Sequence, residues 1–280
     1  MSARGVTGPL SADDLKRSAL RIVSFVPAAR DAVHVGLLTP DAEQVIDLAP
    51  LGISDALEAL EQLDMLRGAA GAIIHGAARV ATPVHGLHLV APMPLVRSVV
   101  LTSVTDADPL FLDPVTLHGP GGHLSRNDAR SARAGLGMVV GLTIEATAAC
   151  ADETLDAALV GTTLVLGWDQ PGHDGLAVTQ PGAIGPFVAI PRRRPESLIT
   201  SHVAPLGAAD GTDRRRTSAA PREDAFFDLA RRALRSHTLR PGDLLTIFPE
   251  DAIPGENPVH GGSWVRVSAP GLATLSLAVL

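Results

Sequence analysis

The sequence predicts an α+β fold: a mixed sheet rolled into a barrel-like body, with a small α+β subdomain at its N-terminal end. Three observations lead there. From residue 87 onward, short runs of apolar and β-branched residues recur between proline and glycine turns. Only two helical periodicities interrupt them, so strands and helices do not alternate as a doubly wound parallel sheet requires. Hydrophobic residues make up 46% of the 280, enough for a sizeable core and too many for a disordered chain. The change of pattern sets the expected boundary, with residues 1–90 as the small subdomain and 91–280 as the strand-rich domain.

Taken in order, "RIVSFV", "HVGLLT" and "QVIDLA" read as three short strands separated by turns. Ser54 then opens a helix over "SDALEALEQLDMLRG", with Leu57, Leu60 and Leu63 on one face, Asp55 in the positive first turn and Gly68 as the stop. A weaker helical stretch follows in "GAIIHGAARVA". The strand-rich domain contains "LHLVAP", "RSVVLTSV", "PLFLD", "GMVVGLTIEA", "TTLVLGWD", "GPFVAIP", "SLITSHVA", "DLLTIFP", "SWVRVSA" and "ATLSLAVL". Its helices are "DETLDAALVG" and "EDAFFDLARRALRSHT"; in the second, Phe226, Leu229, Ala230, Ala233 and Leu234 form a core-docking stripe. Residues 205–222 read as a long exposed loop.

Composition removes whole classes of chemistry. There is no tyrosine, and Lys16 is the single lysine, which argues against phenol, Schiff-base and P-loop mechanisms. A net charge of −7 argues against nucleic acid as a partner. The arginine runs at 192–194 and 214–216 read as solvated loop residues. Cys150 alone precludes an internal disulfide and any multi-cysteine metal site, and its alanine surroundings mark a buried, inert thiol. No uncharged apolar run reaches bilayer-spanning length, and Met1–Ser11 lacks a signal-peptide pattern, so the expectation is a cytoplasmic protein with no membrane partner.

The usual catalytic spacings fail in turn: no G-x-S-x-G, H-E-x-x-H, C-x-x-C or P-loop occurs. "WDQPGHDG" offers His173 and Asp174, but its proline and glycines mark a turn. "PLFLDPVTLHGPGG", residues 109–122, sets Asp113 as the last residue before a turn, with His118 and His123 flanking glycines that loosen the chain.

The order of segments carries more than any one motif. "RIVSFVP…HVGLLTPDAEQVIDLAP", "HLVAPMPLVRSVVLTSV", "PLFLDPVTLHGPGG", "DETLDAALVGTTLVLGWD", "IGPFVAIP", "HTLRPGDLLTIFP" and "GGSWVRVSAPGLATLSLAVL" follow one another over residues 20–280. That succession resembles the fumarylacetoacetate hydrolase family. The Pro-Gly-Asp turn at 241–243 and the Gly-Leu-x-Thr-Leu at 271–275 carry most of the likeness.

The resemblance implies a scaffold stripped of its usual chemistry. Where the family places a lysine before the second proline of its strand, this chain has Asp113. The family holds a hard cation with an E-x-E pair and an Asp; here those positions fall on Leu136 and Met138, and near Gly167. Isobutyl, thioether and hydrogen supply no anionic oxygen. Glu145, seven residues past Met138, and Asp169 are the nearby carboxylates. The lid region shrinks to "TDAD", with Asp106 and Asp108, and Thr179, Gln180 and Pro181 replace an expected lysine segment.

Two readings follow. One is a metal-free enzyme with no cofactor, whose apolar pocket of Met138, Val140, Trp168, Thr246, Ile247 and Phe248 takes a diketone-like or oxo-acid small molecule. Its acid/base candidates are Asp113, His118, His123 and Asp169. The other is an inactive scaffold or partner subunit; for either, the resemblance implies a homodimer. Purified protein is expected to carry far less than one equivalent of Mg²⁺ or Mn²⁺ by elemental analysis, and a stoichiometric ion overturns this alignment of the metal positions.

Overall fold

Two strands dominate a computed structural model of the chain: β10 (Leu159–Pro171) and β11 (Ala177–Ile190), of 13 and 14 residues. The structure describes residues 20–28, 32–68, 81–93, 95–101, 110–124, 132–171, 177–190, 198–205, 214–249, 259 and 261–280. Residues 159–168 are buried without a break, the pattern of a strand covered on both faces.

Around this pair the large sheet is assembled. It takes in β1 (Leu20–Pro27), β2 (His34–Leu38), β3 (Gln44–Asp47), β4 (Thr82–Pro83), β5 (Leu87–Val90), β6 (Leu95–Leu101), β7 (Leu110–Thr116), β9 (Ala132–Val140) and β14 (Leu244–Ile247). Its order is β4-β3-β2-β1-β11-β10-β9-β14-β6-β7, with β5 also on β1. Within this sheet, among the described residues, only the β14–β6 strand pair is parallel. A second sheet of five strands runs β13 (Arg214–Ala219), β12 (Leu198–Pro205), β15 (Ser263–Ser268), β16 (Thr274–Val279) and β8 (His123–Leu124). Among the described residues neither sheet closes on itself, so the fold is α+β with mostly antiparallel sheet and few helices.

The central strands are buried on both sides because two cores meet across them. Leu136, Met138, Val140, Leu164 and Leu166 face Val203, Val265, Leu275 and Leu277 of the second sheet. The same core takes the stripe of α3 (Glu223–Leu234), where Phe226, Leu229, Ala230, Ala233 and Leu234 are all fully buried, as its spacing predicts. The opposite face packs Val139, Val165, Ile184 and Val188 against Ile53, Leu60, Leu63 and Leu66 of the N-terminal region. There helix α1 (Ala56–Glu61) is followed by further helical residues at 63–68. Asp55, not Ser54, is its N-cap, accepting from the Glu58 N–H at 2.9 Å. Glu58 accepts in return from the Ser54 N–H and hydroxyl, which hold its carboxyl below the ordinary value.

Several expectations change. Residues 214–219 are not loop but an edge strand paired along β12, so the second arginine run sits on a strand. In "DETLDAALVG" only Asp152–Ala158 is helical (α2); Leu159 already begins β10. Strand β9 starts at Ala132, five residues before the expected Gly137, and "TIEA" makes only an isolated bridge between Ile144 and Leu239. Leu57 is solvent-exposed, because Ala56, Ala59 and Leu60 supply the buried face of α1. Cys150 is partly buried. The helical stretch expected over 71–81 lies outside the described residues except at Ala81.

The turn after β7 is tight, not loose. Strand β7 runs on through Asp113 to Thr116. Segment 117–122 then crosses from one sheet to the other: the His118 N–H donates to the Gly182 carbonyl of β11, and the Gly121 N–H donates to the Ser276 carbonyl of β16. Any side chain at Gly119 would overlap the backbone of Val90 and Ala91, so this glycine serves close approach. Among the described residues no helix is long and apolar enough to cross a membrane.

Truncating the α3 stripe tests the core. Phe226→Ala is expected to cost about 3–5 kcal/mol in chemical denaturation, whereas Leu57→Ala should stay within about 0.5 kcal/mol.

Candidate functional site

Strand alternation divides the expected pocket residues between two faces. Met138, Val140, Trp168 and Ile247 belong to the core between the sheets. Phe248 belongs to the opposite core, and Thr246, two residues earlier on β14, shares its side. The register spreads them further. Met138 stands opposite Thr162 on β10 and Leu245 on β14, while Trp168 stands opposite Ala132, six positions along β10. Met138, Val140, Ile247 and Phe248 are each at most 2% exposed, so they pack as core and do not form one pocket.

The acid/base candidates are also dispersed. Asp113 lies where β7 gains a residue against β6, between the pairs Ser98–Leu112 and Val96–Val115, with Pro114 beside it. Asp169 pairs through its backbone with Thr179 of β11. Three strands (β9, β14 and β6) separate β10 from β7 along the sheet. His118 is half-buried and bridges Ala183; His123 is exposed and pairs with Ala278 of the second sheet. Among the described residues no three His, Cys, Asp or Glu side chains gather as a metal-binding cluster. Glu145 is exposed and accepts from the Thr238 hydroxyl at 2.9 Å. Asp106, Asp108, His173 and Asp174 lie outside the described residues.

The register shows how the three positions assigned by resemblance lie relative to one another. Gly167 does not face Leu136 or Met138, which stand opposite Leu164 and Thr162. Its partner on β9 is Arg133, a residue only 7% exposed. Arg133 alternates with Gly135, Gly137 and Val139, so it lies on the same side of the sheet as Phe248 and Thr246. Gly135 carries no side chain because a Cβ there would fall 2.6 Å from the Phe248 ring. Among the described side chains on this face, a metal of the family type finds no fit: they are a guanidinium, a phenyl ring and a threonine hydroxyl, with two glycines between them, and none supplies an anionic oxygen.

On β9 the buried Arg133 shares this face with Gly135, whose missing side chain leaves room for the Phe248 ring. Thr246 is fully buried on the same side, with a hydroxyl that has no hydrogen-bond partner among the described residues. Trp168 likewise buries an indole N–H without one, pressed on Gly182, where β11 bulges against β10. Sequence reasoning missed Arg133 because it began the strand at Gly137. The available signal was one charge inside the nine-residue apolar run "ARAGLGMVV". Elsewhere, a shallow cavity of ≈ 520 Å³ opens on the second sheet between Leu198, Thr200, Ser268, Pro270 and Thr274, and holds none of the expected site residues.

The architecture defines a class. The chain has the fumarylacetoacetate hydrolase fold. Among solved structures it is similar to maleylpyruvate hydrolase from Sphingobium sp. SYK-6 in complex with manganese(II) ion and pyruvate, at 18% identity and a TM-score of 0.66, covering 93% of this chain and 98% of that one. It is similar to 2-hydroxyhepta-2,4-diene-1,7-dioate isomerase from Mycobacterium marinum, at 18% identity and a TM-score of 0.61, with 93% and 98% covered. Fumarylacetoacetate hydrolase from psychrophilic Exiguobacterium antarcticum matches at 15% identity and a TM-score of 0.62, with 93% and 99% covered. No protein-family model matches the chain. No curated protein matches it either.

The Gly135–Phe248 contact is testable. Gly135→Ala is expected to destabilise by about 1–3 kcal/mol in thermal denaturation, and by clearly less in a Phe248→Leu background, where the ring no longer fills the space.

Proposed function

We propose that this chain is a divergent member of the fumarylacetoacetate hydrolase family: a metal-independent enzyme acting on a diketone-like or oxo-acid small molecule in bacterial secondary metabolism. The reaction classes that suit such a substrate are tautomerisation, cyclisation, decarboxylation and carbon–carbon cleavage. One observation supports the reading: on the β9–β10 ladder the residue opposite Gly167 is the buried Arg133, which supplies no ligand oxygen. A guanidinium does not hold a hard cation, whereas it suits an anionic or enolisable ligand. Similarity to a hydrolase and an isomerase of small unsaturated acids supports the substrate class.

The finer architecture belongs to the same proposal. The large sheet forms a β-roll, residues 1–90 act as a small subdomain on residues 91–280, and the chain works as a cytoplasmic homodimer. Asp113 and Asp169 remain the acid/base candidates. His118 and His123 lie on the segment that joins the sheets, which favours a structural part for both.

The packing of Leu136 and Met138 into the core favours a second reading, an inactive scaffold. Turnover separates the two. Acylpyruvates and cyclic β-diketones, followed by ultraviolet absorbance in excess EDTA, are expected to react at a rate that added Mn²⁺ does not raise. Reaction only with Mn²⁺ refutes metal independence, and none under either condition leaves the scaffold.

A further inference from the structure

The outer face of the five-stranded sheet carries polar groups that the packing does not use. Val265, Val267, Leu275 and Leu277 point into the core, so strand alternation turns Trp264, Arg266, Ser268 and Thr274 to the other side. The ladders set these groups in rows. Thr200 stands opposite Thr217 on β13 and Ser268 on β15, and Ser268 stands opposite Thr274 on β16, so four hydroxyl-bearing residues cross four strands in register. Two residues along, His202 stands opposite Arg266. The hydroxyl row has room above it. Thr200, Ser268 and Thr274 line the ≈ 520 Å³ cavity, with Leu198 and Pro270 beside them, and that volume lies in the range of small-molecule sites, about 300–1,000 Å³.

An arginine borders the cavity. Arg266 is exposed, two positions before Ser268 on the same face. Its guanidinium carbon lies 4.0 Å from the centre of the Trp264 ring, and the His202 ring meets that of Trp264 edge-on at 4.8 Å. Stacking engages the flat of the guanidinium and leaves its N–H edge for a planar anion. Among the described residues Arg266 has no hydrogen bond or ion pair, and neither the Ser268 nor the Thr274 hydroxyl has a hydrogen-bond partner. No Asp or Glu occurs in residues 198–205, 214–219 or 261–280, so no carboxylate of this sheet competes for these donors, in a chain whose net charge is −7.

We infer that this face is a second ligand site, which takes a small hydroxylated oxyanion: the anionic group on the edge of Arg266 and the hydroxyl-bearing body on the row of Thr200, Ser268 and Thr274. The two rows are about 6.8 Å apart along the strands, a distance that a phosphorylated or carboxylated six-carbon polyol bridges. A charge-assisted, two-point donor selects such an anion over the neutral sugar of the same shape. The site shares no residue with the β9–β10 ladder and does not depend on the reading proposed above.

Calorimetric titration of the full chain with glucose 6-phosphate, gluconate, glucose and inorganic phosphate tests it. At least one of the two hydroxylated anions is expected to bind about tenfold or more tighter than glucose, the scale of a charge-assisted pair. Preference for glucose 6-phosphate assigns a phosphate ligand and preference for gluconate a sugar acid; either supports the site. Arg266→Gln, an exposed substitution whose folding is checked by an unchanged thermal midpoint, should abolish the preference over glucose. Thr200→Val should weaken the preferred anion several-fold and leave inorganic phosphate, which has no body to place on the row, unchanged. Anion binding that survives Arg266→Gln lies elsewhere and overturns the assignment. Inorganic phosphate binding as tightly as glucose 6-phosphate and gluconate, equal binding of glucose and its anions, or no binding of any of the four overturns it as well.

Discussion

The pairing of β9, β10 and β11 is the constraint from which the rest follows. Ten consecutive buried residues of β10 leave no solvent face, so each side chain must fit a core on one side or the other. The glycines are where the fit is closest. At Gly137 a Cβ would fall 2.7 Å from Leu244, and at Gly135 2.6 Å from Phe248. These positions keep β14 close against β9, with Thr246 opposite Gly137 and the Phe248 ring against Gly135. Burial on both faces is thus what makes one end of this sheet a dry setting, in which a charge or an unpartnered hydroxyl is strongly felt.

The same ladder fixes what faces Gly167. The position opposite Gly167 holds a guanidinium, and its neighbour on that face is a glycine filled by a phenyl ring. Glu145, the nearest acidic residue after β9, is exposed and turned to Thr238, on the far side of Gly141 from Arg133.

Much of the fold was legible because local patterns and global packing agree. The α3 stripe was readable to the residue, since its 3.6-residue repeat has a single buried solution. The three opening strands, separated by proline and aspartate turns, were equally plain. Strand β13 was not, because three arginines in succession read as solvated loop and only pairing with β12 makes them a strand. The site was less legible for a related reason. Spacing along a chain fixes which residues share a face, but not which residue lies across the ladder, and only the register places Arg133 opposite Gly167. Thr246 and Phe248 were singled out by likeness of motif, whereas the place of Arg133 opposite Gly167 emerged only from cross-strand register.

Strand β13 also bears on how the molecule behaves in company. It forms the outer margin of the five-stranded sheet, where a row of backbone amides and carbonyls would otherwise invite a neighbouring molecule to add a further strand. Three consecutive positive charges there repel an identical margin brought alongside. The run that the sequence presented as solvated loop thus lies on a margin where like charge discourages the addition of a further strand.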